Sequence, residues 1–238
     1  MTSLAPAALL AAWELGLHLH AVDRALVLLA GAAPDVEVAA LPLAERDRRL
    51  LALRAGLLGD RLDCLAQCPA CGATLEFTLS ASDTASRIAP LPPERVSVDG
   101  WDIELRPLDS RDLAVAACAP DAAAAEGMLA ARSIAAMHPP ADLPMDSPPP
   151  EAVRAAAAAR TAERESKGVV ELALDCADCG AAWQAPLDIG AHVWAEAEAA
   201  AGRLLAEVAS LAARYGWSEA EVLAMSPARR RAYLMLAR

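Results

Sequence analysis

The sequence predicts an α+β fold, mainly α-helical, that carries a split four-cysteine ribbon and a β-hairpin insertion. Three observations lead there. Apolar residues recur at three- and four-residue steps through both ends of the chain, the pattern of helices with one buried face. Two Cys-x-x-Cys-Gly elements, Cys68-Pro69-Ala70-Cys71-Gly72 and Cys176-Ala177-Asp178-Cys179-Gly180, each lie beside strand-like residues. Asp99-Gly100 separates two alternating segments, which is the strongest short hairpin signal.

The N-terminal elements follow from periodicity. Leu9, Leu10, Trp13 and Leu17 share one helical face, Leu26, Leu29 and Ala30 a second, and Pro34 stops that run. A third helix is expected after Pro42, with Leu43, Leu50, Leu53 and Leu57 apolar, the charges from Glu45 to Arg49 largely exposed, and Gly59 at its C-cap. After the first Cys-x-x-Cys, Leu75, Phe77 and Leu79 alternate as in a strand. Val96 to Val98 and Trp101 to Leu105 form the hairpin.

Residues 110–137 read as Ala-rich helix, and the prolines from Pro139 to Pro150 read as an exposed linker, because proline fixes φ and lacks an N–H donor. Residues 151–167 resume as a helix of Ala, Arg and Glu, too poor in large apolar side chains to pack deeply. Val169 to Asp175 and Trp183 to Leu187 are strands by residue type on either side of the second Cys-x-x-Cys. Beyond them Trp194, Ala197, Ala201, Leu204, Val208 and Leu211 mark a long amphipathic helix. Ser218 with Glu221 makes a capping box, and Ser226-Pro227 starts a last helix. The domain reading is therefore a helical module over residues 1–60, a split ribbon from 61–88 with 168–190, an insertion over 89–167, and C-terminal helices over 191–238.

Composition excludes several classes. Much of the hydrophobic fraction of 56% is Ala, which favours helix without demanding an apolar environment, and aromatics supply only 3%. No window of about 18 residues is free of charge, since Glu14 interrupts the first apolar stretch and Asp23 with Arg24 precede the second, so no membrane span is expected. Met1 to Pro6 lack the basic residues of a secretory signal, and a cytoplasmic location with reduced thiols is expected. The net charge of −11 opposes phosphate backbones, and nucleic acid is disfavoured as a partner.

Cys68, Cys71, Cys176 and Cys179 are the candidate metal ligands. The two Cys-x-x-Cys-Gly elements align without gaps, with Leu75 and Leu79 falling opposite Trp183 and Leu187. Each turn offers two thiolates, and the following glycine tolerates the positive φ such a turn needs. Four thiolates fill a tetrahedral Zn2+ and leave no position for water or substrate, so one structural zinc is expected, against a redox dithiol or unrelated buried cysteines. No catalytic residue is assigned. Cys64, whose counterpart in the second half is Leu172, and Cys118 read as core thiols. His18 and His20 carry no assigned chemistry, Arg229-Arg230-Arg231 reads as a solvated helix face, and Trp13, Trp194 and Trp217 as core anchors.

Several segments together resemble a known family: Trp13-Glu14 with His20-Ala21-Val22-Asp23-Arg24-Ala25-Leu26, the two cysteine turns, Leu105-Arg106-Pro107-Leu108-Asp109-Ser110-Arg111-Asp112-Leu113, and Tyr215-Gly216-Trp217-Ser218-Glu219-Ala220-Glu221-Val222-Leu223 through Tyr233. Their order is similar to that of the T-even phage baseplate hub assembly chaperone family, found in contractile phage tails and in contractile injection systems. The resemblance implies a non-enzymatic assembly factor whose partner is a baseplate or hub protein, or a permanent minor subunit of the baseplate. It maps no partner-binding residue onto this chain and implies no oligomeric state. The competing expectation is a zinc-ribbon adaptor for nucleic acid or the transcription machinery. The acidic strand residues Glu76, Glu171 and Asp175 argue against it, with only Phe77 and Trp183 as aromatics there.

Overall fold

The computed structural model describes residues 4–236, in which the fold is α+β and mainly helical. The chain begins with α1 (Pro6–Gly16), α2 (Ala21–Ala32) and α3 (Leu43–Leu58), then the strands β1 (Arg61–Gln67) and β2 (Thr74–Ser80). The middle comprises α4 (Ala81–Arg87), β3 (Glu94–Val98), β4 (Trp101–Leu105), α5 (Ser110–Ala116), α6 (Ala122–Ser133), β5 (Ile134–His138) and α7 (Glu151–Ser166). It ends with β6 (Glu171–Asp175), β7 (Ala182–Pro186), α8 (Ile189–Tyr215), α9 (Glu219–Leu223) and α10 (Pro227–Leu236). Among the described residues no helix is long and apolar enough to cross a membrane.

Two compact units divide the chain. One takes the chain up to Val36, Leu50–Asp60 and everything from Asp188; the other takes Glu37–Arg49 and Arg61–Leu187. The first unit is helical. Its spine is α8, whose Val193, Trp194, Ala197, Ala201, Leu204, Val208 and Leu211 are buried at the spacing the sequence requires. Leu10 of α1 packs with Ala201 and Leu204, while Val208, Leu211 and Val222 form a second cluster capped by Tyr215, Trp217 and Tyr233. The Tyr215 and Trp217 rings stack at 4.5 Å, and Tyr233 meets Trp217 edge-on at 4.8 Å. The Ser218–Glu221 capping box forms as expected, and Gly216 ends α8 at φ +69°, a left-handed position that favours glycine.

The second unit holds the β-structure. The Asp99-Gly100 turn joins β3 and β4 in register, Val96 opposite Ile103 and Val98 opposite Trp101. A third strand, β5, pairs antiparallel with β4 and corrects the helical reading of residues 110–137 at its end. The reason is tertiary: Ile134 and Met137 pack against the sheet core, and burial overrides the helix propensity of the alanines between them. Helix α7 is also corrected. Val153 and Ala157 are fully buried against Trp101, Ile103 and Leu105, because small side chains let the helix lie close to the sheet. The segment 139–150 has no regular structure and is mostly exposed, as its prolines require.

Two further hairpins complete this unit, β1–β2 and β6–β7, each a separate two-stranded antiparallel sheet. β1 is a strand that periodicity after the first cysteine turn did not reveal, although Leu62 and Cys64 alternate as its buried residues.

Candidate metal centre

The connection between β1 and β2 is the turn from Cys68 to Gly72, and that between β6 and β7 is the turn from Cys176 to Gly180. The two turns close with the same hydrogen bonds. The Cys68 N–H donates to the Ala73 carbonyl at 2.8 Å and the Gly72 N–H to the Cys68 carbonyl at 2.9 Å. The Cys176 N–H donates to Ala181 at 2.9 Å and the Gly180 N–H to Cys176 at 2.9 Å. Gly72 at φ +76° and Gly180 at φ +73° take the left-handed conformation that the turn demands. The repeat visible in sequence is thus a repeat in backbone geometry.

The four thiols meet. Cys68, Cys71, Cys176 and Cys179 place their sulfur atoms within 4.8 Å of one another, from positions 105 and 111 residues apart across the cluster. The Cys68 and Cys179 sulfurs lie 3.6 Å apart, as do those of Cys71 and Cys176, and none is in a disulfide. Cys68 and Cys176 are buried while Cys71 and Cys179 reach the surface. Four convergent soft donors around one point can hold one metal ion.

Electrostatics support that capacity. Burial works against a Cys68 thiolate, but the N–H groups of Cys71 and Ala70 and the neighbouring thiols outweigh it and lower the pKa to about 7. The Ala73 N–H favours a Cys71 thiolate, yet crowding by the Cys179 and Cys176 sulfurs pushes that pKa up to about 12. At Cys179 the Ala181 N–H likewise favours ionisation, and crowding by its neighbours leaves the pKa raised. Four negative sulfurs at this spacing repel one another, and a divalent cation at their centre removes the conflict.

The other sequence candidates fall elsewhere. Cys64 is buried opposite Phe77, a core thiol as expected. Cys118 is exposed, which corrects its reading as a core thiol; α5 ends at Ala116 and leaves it in the following turn, its sulfur 3.6 Å from the Ala114 carbonyl. His18 and His20 are exposed, and the His20 ring accepts from the Val22 N–H at the start of α2. Trp194 is buried, while Trp13 and Trp217 are half-buried. Arg230 is not solvated: it is buried, donates to Glu207 at 2.7 Å and to the Met225 carbonyl at 2.7 Å, and so corrects the reading of the three-arginine run.

Sequence reasoning also missed a buried charge cluster after β4. Asp112 is fully buried, accepts two hydrogen bonds from Arg106 at 2.7 and 2.8 Å and one from Arg132 at 2.6 Å, and caps the Asp109 N–H at 3.0 Å. Burial alone would raise its carboxyl, but Arg106, the Asp109 N–H and Arg132 outweigh it and hold the pKa at about 2. The available signal was Asp109-x-x-Asp112, a capping box written with two aspartates. Comparison of the chain with protein-family models, curated proteins and solved structures returns no match.

Proposed function

We propose that this chain is a zinc-stapled, non-enzymatic assembly factor, a chaperone for the baseplate or hub of a contractile phage tail or contractile injection system. The observation that carries the non-catalytic part is closure of the cysteine cluster. A tetrahedral zinc with Zn–S bonds of about 2.3 Å needs S–S edges of about 3.8 Å, and the two 3.6 Å pairs match within a few tenths of an ångström. Cys68, Cys71, Cys176 and Cys179 would hold the ion, which supplies folding free energy and has no position left for substrate.

The machine is proposed from the resemblance alone, and two of the segments that carry it have defined places in the fold. The Leu105-to-Leu113 segment is locked by the Arg106–Asp112–Arg132 cluster, and the Tyr215-to-Leu223 segment forms the aromatic cap and capping box at the end of α8.

Affinity purification from the native gene cluster, followed by mass spectrometry, tests the proposal. A baseplate or hub protein should copurify, and deletion of the gene should abolish particle assembly. Recovery of neither, with assembly intact after deletion, would sink it. Mass spectrometry of finished particles separates a departing chaperone from a permanent minor subunit.

A further inference from the structure

Residues of both cysteine-turn hairpins line one cavity. β2 is paired with β1 on one side and β6 with β7 on one side, and the sheets are separate, so each strand keeps a free edge of backbone donors and acceptors. A cavity of about 550 Å³ exists in the helical unit, but no strand lines it. The one beside the ribbon, about 480 Å³, is lined by Ala73 and residues 74–77 of β2, by residues 173–175 of β6, and by Cys176, Ala177 and Asp178 of the second cysteine turn. Where the lining is strand, consecutive residues bring backbone to the groove as well as side chains, since side chains on one face would line it at every second position.

An open strand edge presents unpaired N–H and C=O groups and is an adhesive surface unless charge guards it. Here the groove is bordered by Glu76 and Asp175 on the strands and by Asp178 in the turn after β6, all exposed and none in an ion pair among the described residues. These carboxylates repel a second copy of a chain whose net charge is −11 and attract a cationic one. Leu75, Phe77 and Leu174 beside them are half-buried and offer apolar contact for alternate side chains.

We infer that the edges of β2 and β6 form a strand slot that captures one extended segment of a client protein, in which basic and apolar residues alternate. The client identity rests on the assembly-factor reading; the slot itself rests on the strand edges and their charge. Main-chain hydrogen bonds to β2 and β6 supply affinity, and the three carboxylates select lysine or arginine on the solvent side. The five residues from Ala73 to Phe77 span about 17 Å at ~3.4 Å per residue, the length of an ordinary pairing strand.

The test uses the full-length, metal-loaded chain, labelled for amide NMR, with an acetylated and amidated heptapeptide of alternating Lys and Val as the probe. Amide shifts should concentrate at residues 73–77 and 173–178. Methylating alternate peptide nitrogens should weaken binding at least tenfold, as should the double reversal Glu76→Lys/Asp175→Lys, which alters exposed residues and should retain one equivalent of metal. An alternating Glu-Val heptapeptide should not bind. The inference is overturned if the Lys-Val peptide fails to bind, if N-methylation leaves its affinity unchanged, if the shifts lie elsewhere, or if sedimentation shows a second copy of the chain filling the slot. Because the probe is synthetic, its failure removes the slot and leaves the copurification result standing; loss of copurification with peptide binding retained does the reverse.

Discussion

At the scale of single residues, charge decides what the polar centres contribute. Each of the four cysteines supplies one donor to a shared point, so removing one leaves three sulfurs and an open position. Cys176→Ser should lose about one equivalent of zinc, measured by elemental analysis, and destabilise the ribbon by several kcal/mol, because structural metal binding is folding free energy. Metal content near zero in the purified wild-type protein would contradict this. Asp112 is different, an ion pair that functions without a metal. Its pKa of about 2 in the folded chain lies below the ~3.9 of an unfolded aspartate, so it stabilises the fold above pH 4 and that contribution fades as pH falls from about 4 to about 2. The linkage is worth on the order of 2 kcal/mol. Asp112→Asn leaves Arg106 and Arg132 without their carboxylate and should cost about 2–3 kcal/mol at pH 7, an effect tempered by the partial exposure of both arginines. In urea unfolding, the gap between wild type and variant should narrow below pH 3; a gap that stays constant to pH 2 would refute the assignment.

At the scale of elements, close approach is set by the smallest residues. Gly16 ends α1 where a Cβ would meet the Trp194 ring at 2.2 Å, well inside van der Waals contact. Gly16→Ala should therefore force α1 away from α8 and destabilise by about 1–3 kcal/mol, read as a fall in melting temperature. An unchanged melting temperature would mean that Trp194 turns aside at little cost. The same principle explains what periodicity could and could not reveal. The face of α8 was readable because Trp194, Leu204, Val208 and Leu211 are large, and both cysteine turns were readable because their chemistry is local. The burial of α7 was not, since Val153 and Ala157 carry too little apolar area to announce a core. β5 was hidden because Ile134-Ala135-Ala136-Met137 suits a helix until β4 is there to pair with it. Arg230 looked solvated because its partner, Glu207, lies on another helix and sequence does not show that meeting. The resemblance supplied an expectation for function that no residue pattern alone provides.

At the scale of the whole molecule, the long interval between the cysteine turns needs a physical account. Closing a loop costs only about 0.6 kcal/mol more for each doubling of its length, so a span of about 100 residues in place of about 20 adds roughly 1.4 kcal/mol. A thiolate–zinc site contributes far more than that to folding. The intervening chain also brings its own core, Trp101, Ile103, Leu105, Val153 and Ala157, so the span between the turns is folded and not a free loop. The helical unit has separate clusters around Leu10, Ala201 and Leu204 and around Val208, Leu211 and Val222. Metal removal should therefore act regionally. With a strong zinc chelator under reducing conditions, hydrogen exchange in β1, β2, β6 and β7 should accelerate at least a hundredfold, while amides in α1, α2 and α8 keep their protection. Restoring one equivalent of zinc should return the strand protection. If exchange in the four strands does not change, the thiols hold no structural ion; if α8 loses protection in the same step, the ribbon and the helical unit fold as one cooperative body.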